Sequence, residues 1–281
     1  MPYLKVPNVG WGGIIDGGFG DRMRHWTNAY ILNELNNFKF TILVDESKWR
    51  ETKYLDFPYT KTGNHDYEAE IISGVDFDEE IISKVKLKDK SLERKIKKIV
   101  KDRIGIHIRH WPLVESDPRP DKVERFNYIE KMRLVRKILD MYPNSKFYIS
   151  SDVTYDEPSR GPCLPDFRKE SHWISQVYKD YDIVDYRDVL ELGDTLPNVV
   201  QDTNNPMWSR VLGDEGFCIN TIRYNEKEHK IGLDEIEEMV ILRNIIDLFG
   251  LIYSKEFISS SKTGPHSSWS EFVETYRENI W

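Results

Sequence analysis

The chain has 281 residues, 39% of them hydrophobic and 31% charged, so it has material for one large domain or two modest ones, each with its own core. Lys and Arg number 40 against 48 Asp and Glu, a formal charge of −8 that excludes nonspecific attraction to nucleic-acid phosphates or an anionic membrane through the global field. The two cysteines, Cys163 and Cys218, offer no disulfide framework and no CxxC spacing. No run approaches the ~18 to 20 apolar residues of a bilayer span, and the first residues lack the apolar stretch of a signal peptide, so a cytoplasmic protein is expected.

In chain order, residues 10–20 are glycine-rich, and residues 21–36 carry helical apolar spacing at Met23, Trp26, Ala29, Tyr30 and Leu35. Residues 40–44 (FTILV) read as a buried strand after that helix. From residue 45 to 101 the pattern weakens: residues 60–66 are polar, and residues 91–101 form a charge-rich helix whose KLKDKSLERKIKKIVKDR run is a solvated face rather than a nucleic-acid patch. Beyond it, strands are expected at 104–108, 146–150, 183–186 and 251–259, and helices at 126–141, 166–179, 233–249 and 267–276. Residues 153–168, with Pro158, Gly161, Pro162 and Pro165, read as a long surface loop. Such alternation predicts an α/β fold with mostly parallel sheets, where ligands bind beyond the carboxyl ends of strands.

Four segments carry candidate chemistry. The first is Asp16-Gly17-Gly18-Phe19-Gly20-Asp21-Arg22, where Gly18 and Gly20 allow close backbone approach and the following helix presents N–H groups to a phosphate; a purely structural glycine turn is the alternative. The second is IGIHIRHW, residues 104–111, in which strand alternation sends His107 and Arg109 to one side. A cation at the end of a buried strand needs an anion, and a ligand pyrophosphate is preferred to a fixed carboxylate. His107 and His110 do not have a recognised zinc spacing, and the tryptophan after Arg109-His110 departs from the histidine-phosphatase pattern. The third is FYISSD, residues 147–152, where Asp152 either accepts hydrogen bonds from a nucleotide or caps a turn. The fourth is GPHSSWS, residues 264–270, a second anion cradle or else a Ser-capped helix with Trp269 in the core.

The order and spacing of these four segments resemble the fucosyltransferase superfamily that includes protein O-fucosyltransferases, bacterial nodulation fucosyltransferases and the α1,2 and α1,6 enzymes. GGFGDR is similar to its amino-terminal Gly-loop, IGIHIRHW to its H-x-R strand, and FYISSD and the closing D-x9-F-I…S-S-aromatic-S pattern follow in the usual order. The resemblance implies a GT-B architecture, two Rossmann-like halves facing a cleft, with GDP-fucose or another nucleotide sugar as donor substrate and no cofactor or metal. It implies that Arg109 grips the β-phosphate, that His107 lines the donor site, that Ser267, Ser268 and Trp269 approach the diphosphate, and that Asp247 reads the guanine or ribose with Asp152 nearby. In these terms Gly18, Gly20 and Arg22 belong to the donor-binding set. An acceptor-side domain is expected over 1–100 and a nucleotide-sugar domain over 101–281, the final helix being free to pack back on the first.

The acceptor, a glycan or other hydroxyl compound, needs a base, for which Asp16 and Asp21 are the candidates; either could instead cap the first helix. Two other readings stay open. One is a metal-dependent GT-A transferase with a D-x-D site at Asp76-Phe77-Asp78 or Asp180-Tyr181-Asp182. The other is a nucleotide- or glycan-binding protein of the same fold without turnover.

Overall fold

The computed structural model describes residues 3–6, 19–45, 49–63, 70–71, 77–108, 128–151, 175–191, 233–263 and 267–280. The chain divides into two units, Met1–Lys95 with Ser267–Trp281, and Ile96–His266. Both are α/β, and each is built on a parallel sheet.

In the first unit the elements run β1 (Tyr3–Lys5), α1 (Phe19–Leu35), β2 (Thr41–Asp45), a 3-10 turn (Arg50–Lys53), β3 (Leu55–Asp56), β4 (Thr60–Gly63), β5 (Glu70–Ile71), α2 (Glu79–Ile82), β6 (Lys86–Leu87) and α3 (Lys90–Val100), whose last residues pass into the second unit. The main sheet has the order β4-β2-β1-β5, all neighbours parallel, with Leu4 opposite Ile42 and Ile42 opposite Thr60. β3 and β6 form a separate antiparallel pair. The helical spacing of Met23, Trp26 and Ala29 buries them completely, as it does Leu4, Ile42 and Val44 in the strands. Burying the Trp26 indole leaves its N–H in need of an acceptor, and Nε1 donates to Thr60 Oγ1 at 2.8 Å. That bond ties α1 to β4, a strand within the polar 60–66 stretch. β4 escapes an apolar-pattern reading because it is an edge strand: Lys61 and Thr62 are exposed, and such charged, polar edges resist further pairing.

In the second unit follow β7 (Arg103–Ile108), α4 (Tyr128–Asp140), β8 (Lys146–Ser151), α5 (Ser175–Asp180), β9 (Asp182–Val184), α6 (Tyr186–Leu190), α7 (Leu233–Tyr253), β10 (Glu256–Ile258) and α8 (Ser260–Thr263). The sheet order is β10-β7-β8-β9, again all parallel, with Gly105 opposite Tyr148 and His107 opposite Ser150. Alternation sorts the two faces. Ile104, Ile106, Ile108, Phe147 and Ile149 join Val135, Ile138 and Leu139 of α4 and Val177 of α5 in one apolar cluster. On the opposite face Gly105 and Tyr148 meet the end of α7: a Cβ on Gly105 would lie 2.7 Å from Ser254 Oγ, and one on Gly250 would lie 2.5 Å from Tyr148 Cε1. The final helix, α9 (Ser268–Glu278), belongs to the first unit, where the Tyr276 hydroxyl donates to the Val85 carbonyl at 2.9 Å.

Two expected boundaries are corrected. The strand placed at 251–259 begins only at Glu256, because α7 runs on through Leu251 and Ile252. Both are fully buried, and an apolar run buried on every side has no periodicity to separate helix from strand. The helix closes at Ser254, whose Oγ donates back to the Gly250 carbonyl at 2.6 Å. Likewise Tyr186 opens α6 instead of ending a strand, since Asp185 accepts from Arg187 N and completes a capping box with Asp188. Residues 153–168 and 166–174 lie outside the described residues.

Alanine normally improves a helix interior over glycine by about 1 kcal/mol. At Gly250 the added methyl meets a Tyr148 ring that cannot swing away, its hydroxyl being held by Asp247 at 2.8 Å. Overpacking of this kind costs about 1 to 3 kcal/mol, so Gly250→Ala is expected to lower stability by roughly 1 kcal/mol in denaturant titration. A midpoint at or above that of the wild type contradicts this packing.

Candidate functional site

In the first unit, the glycine-rich run lies between β1 and α1 and delivers Phe19 and Gly20 as the first two helical residues. Gly20 is required by proximity: a Cβ there would stand 2.6 Å from both the carbonyl carbon and the hydroxyl of Ser268. The amino-terminal turns of α1 and α9 therefore meet, with Phe19 edge-on to Trp269 and Phe272, each at 5.7 Å between centroids. Ser267 caps α9, its Oγ accepting from Trp269 N at 3.2 Å and Ser270 N at 3.4 Å. One turn into α1, Arg22 donates to Glu51 Oε1 at 2.7 Å and lies over the Trp49 ring at 5.5 Å. Arg24 pairs with Glu271 of α9. Buried polar atoms near this turn that have no hydrogen-bond partner include Arg24 Nε, Glu51 Oε2 and Trp269 Nε1.

In the second unit, the face of the sheet against α7 is polar for a buried layer. His107 and Ser150 are each 3% exposed, Tyr148 not at all, and Asp247 and Arg243 of α7 are buried with them. The Tyr148 hydroxyl donates to Asp247 Oδ1 at 2.8 Å, and Arg243 Nε donates to Asp247 Oδ2 at 3.2 Å. Ser150 adds a further hydrogen bond to the same carboxylate. Burial pushes the Asp247 carboxyl up to about 6 in spite of the Arg243 charge and the bonds from Tyr148 and Ser150, which favour ionisation. Burial also holds the Tyr148 phenol well above its ordinary range, reinforced by the negative Asp247. Arg243 lies over the Tyr186 ring at 5.6 Å, and next to it Asp185 and Arg187 form a fully buried pair at 3.3 Å.

The structure thus brings together Gly20, Arg22, Ser267, Ser268 and Trp269 around the first turn of α1. It sets His107 on the same face of the second sheet as Asp247. Asp247 is a buried, thrice-bonded carboxylate, Arg22 is held by Glu51, and the Ser267 hydroxyl is engaged as a helix cap. Asp16, Gly18, Arg109, His110 and Asp152 lie outside the described residues; so does the side chain of Asp21, whose backbone is helical in α1. Of the two D-x-D triplets, Asp76 is outside and Asp78 caps α2 by accepting from Ile81 N at 2.9 Å. Asp180 pairs with Arg136 at 2.6 Å and Asp182 with Arg103 at 2.7 Å. Sequence reasoning missed Glu51, Tyr148 and Arg243. Arg243 and Asp247 stand four apart on one helix, a spacing that could have flagged the pair. Glu51 carries no such local sign.

Removing the Ser267 cap is expected to cost about 1 kcal/mol, while Asp, an equally good cap, should retain it. Chemical denaturation of Ser267→Ala and Ser267→Asp measures this, and equal stability in Ser267→Ala and the wild type contradicts a capping role. Gly20→Ala, which drives a methyl into the backbone of Ser268, should cost more, about 1 to 3 kcal/mol.

No family model matches the chain, and no curated protein matches it. Among solved structures, the crystal structure of NodZ α-1,6-fucosyltransferase soaked with GDP-fucose aligns over 98% of this chain and 92% of its own, with 11% sequence identity and a TM-score of 0.48.

Proposed function

We propose that the chain is a glycosyltransferase that moves a sugar, with fucose from GDP-fucose as the first candidate, to a hydroxyl acceptor without a metal. The observation that supports this is topological. In the second sheet the chain passes from β7 to β8 and β9 on one side and returns with β10 on the other, so the strand order reverses at β7. In parallel α/β sheets the crevice outside the carboxyl end of that strand is where nucleotides bind, and the residue after β7 is Arg109. The first sheet repeats the plan: order reverses at β1, and the glycine-rich run follows β1.

Breaking a sugar–phosphate bond develops negative charge on the departing diphosphate and oxocarbenium character on the sugar. Arg109, the next residue in the sequence after β7, is the candidate cation for the β-phosphate, and His107 is the candidate donor-site residue within β7. Ser268 and Trp269 are further donor contacts on the family resemblance, and Asp16 or Asp21 is the base for the acceptor. The metal-dependent alternative has less to stand on, because Asp180 and Asp182 are each committed to an arginine.

With no metal in the reaction, loss of one positioned cation should cost on the order of a hundredfold or more in rate. Arg109→Ala is expected to abolish nearly all transfer while leaving thermal unfolding unchanged, and near-normal turnover overturns the assignment. A thermal-shift panel of GDP, UDP, CDP and ADP should show a selective GDP response, since a ligand at a hundred times its Kd adds about 2.7 kcal/mol to stability. Activity is expected to survive EDTA; strict Mn²⁺ dependence would favour the metal-dependent reading.

A further inference from the structure

The resemblance assigns Asp247 to the nucleotide itself, whereas its geometry points elsewhere. Its two oxygens are taken up by Tyr148, Ser150 and Arg243, and the residue is 3% exposed. Asp247 and Arg243 sit on α7, and Tyr148 and Ser150 on β8, Ser150 being the residue before the last of that strand. Ser150 is the register partner of His107, the last residue of β7 on the face that packs against α7.

We propose that Asp247 is a positioning residue: by binding Tyr148 and Ser150 it clamps α7 against β8, and through the β8–β7 register it fixes where His107 is presented. The ligand contacts then belong to the strand ends and not to Asp247. This deepens the nucleotide-site reading and rests on it for the choice of GDP as probe.

The clamp has a pH dependence whose sign follows from the groups around Asp247. Arg243 on α7 and the hydrogen bonds from Tyr148 and Ser150 on β8 favour the carboxylate, while burial and the negative Asp185 before α6 oppose it; Tyr186 and Arg187 complete that side, and His107 stands across from Ser150 on β7. With the carboxyl pushed up to about 6, protonation on acidification takes away the charge that holds Arg243 and loosens the clamp. Removing the Tyr148 hydroxyl takes away a bond that favours the carboxylate, so the acid limb must move to higher pH.

The experiment uses the full chain with Ser150→Ala and Tyr148→Phe, which leave the Asp247–Arg243 pair intact; Asp247→Asn is the harsher third variant. Two quantities are read: the Kd for GDP from pH 5 to 8 by calorimetry, and the imidazole NMR signals of His107, assigned with a His107→Gln control. The difference between variant and wild type removes the titration of GDP itself. The expected result at pH 7.5 is a Kd raised by about tenfold or more in both mild variants, displaced His107 signals, and an acid limb moved to higher pH in Tyr148→Phe. A purely structural role would lower the melting temperature and leave these unmoved. Unchanged His107 signals together with a Kd within twofold of the wild type overturn the proposal. If the wild type binds no GDP, the nucleotide reading falls, and the His107 signals alone decide the clamp: displaced they uphold it, unmoved they overturn it.

Discussion

The second unit depends on one hydrogen bond, from the Tyr148 hydroxyl to the Asp247 carboxylate, made where neither group reaches water. A buried carboxylate is tolerable only if charge and hydrogen bonds replace the lost hydration, and here Arg243 supplies the first while Tyr148 and Ser150 supply the second. The same bond dictates two glycines. A tyrosine hydroxyl that must reach α7 brings its ring against Gly250, and the close helix leaves no room for a side chain at Gly105. One polar contact thus sets the helix-to-sheet spacing on the face that His107 shares.

The first unit achieves a close approach by other means. Gly20 lets the amino-terminal turns of α1 and α9 meet, aromatic edges from Phe19, Trp269 and Phe272 fill the contact, and Arg24 to Glu271 joins the helices. Two helix amino termini in contact concentrate N–H dipoles at one place, which favours negative charge nearby. Ser267 answers part of that demand from within the protein, and Arg22 is balanced by Glu51.

Much of this was legible in the residues. The 3.6 spacing of Met23, Trp26 and Ala29 marks α1, and the apolar runs around Ile42, Ile106 and Ile149 mark strands, because burial on a regular element leaves a period in the sequence. What failed had no such period. β4 is polar because it is an edge strand, and the end of α7 is apolar on all sides. Strand alternation placed His107 on its face, but Tyr148 lies 99 positions from Asp247 and Glu51 lies 29 from Arg22, and such pairings exist only once the chain is folded. For Asp247 the resemblance implied a contact with the nucleotide, while the structure shows a buried carboxylate bonded to Tyr148 and Arg243. The fold that carries the proposed function rests on the two parallel sheets and their reversal points.

The central claim is that a nucleoside diphosphate binds outside the carboxyl end of β7. Hydrogen–deuterium exchange with and without saturating GDP tests it most directly. The account predicts slowed exchange in peptides that begin at His107 and Ile108 and run into the residues after them. Exchange there that is indifferent to GDP, with protection confined to other parts of the chain, contradicts it.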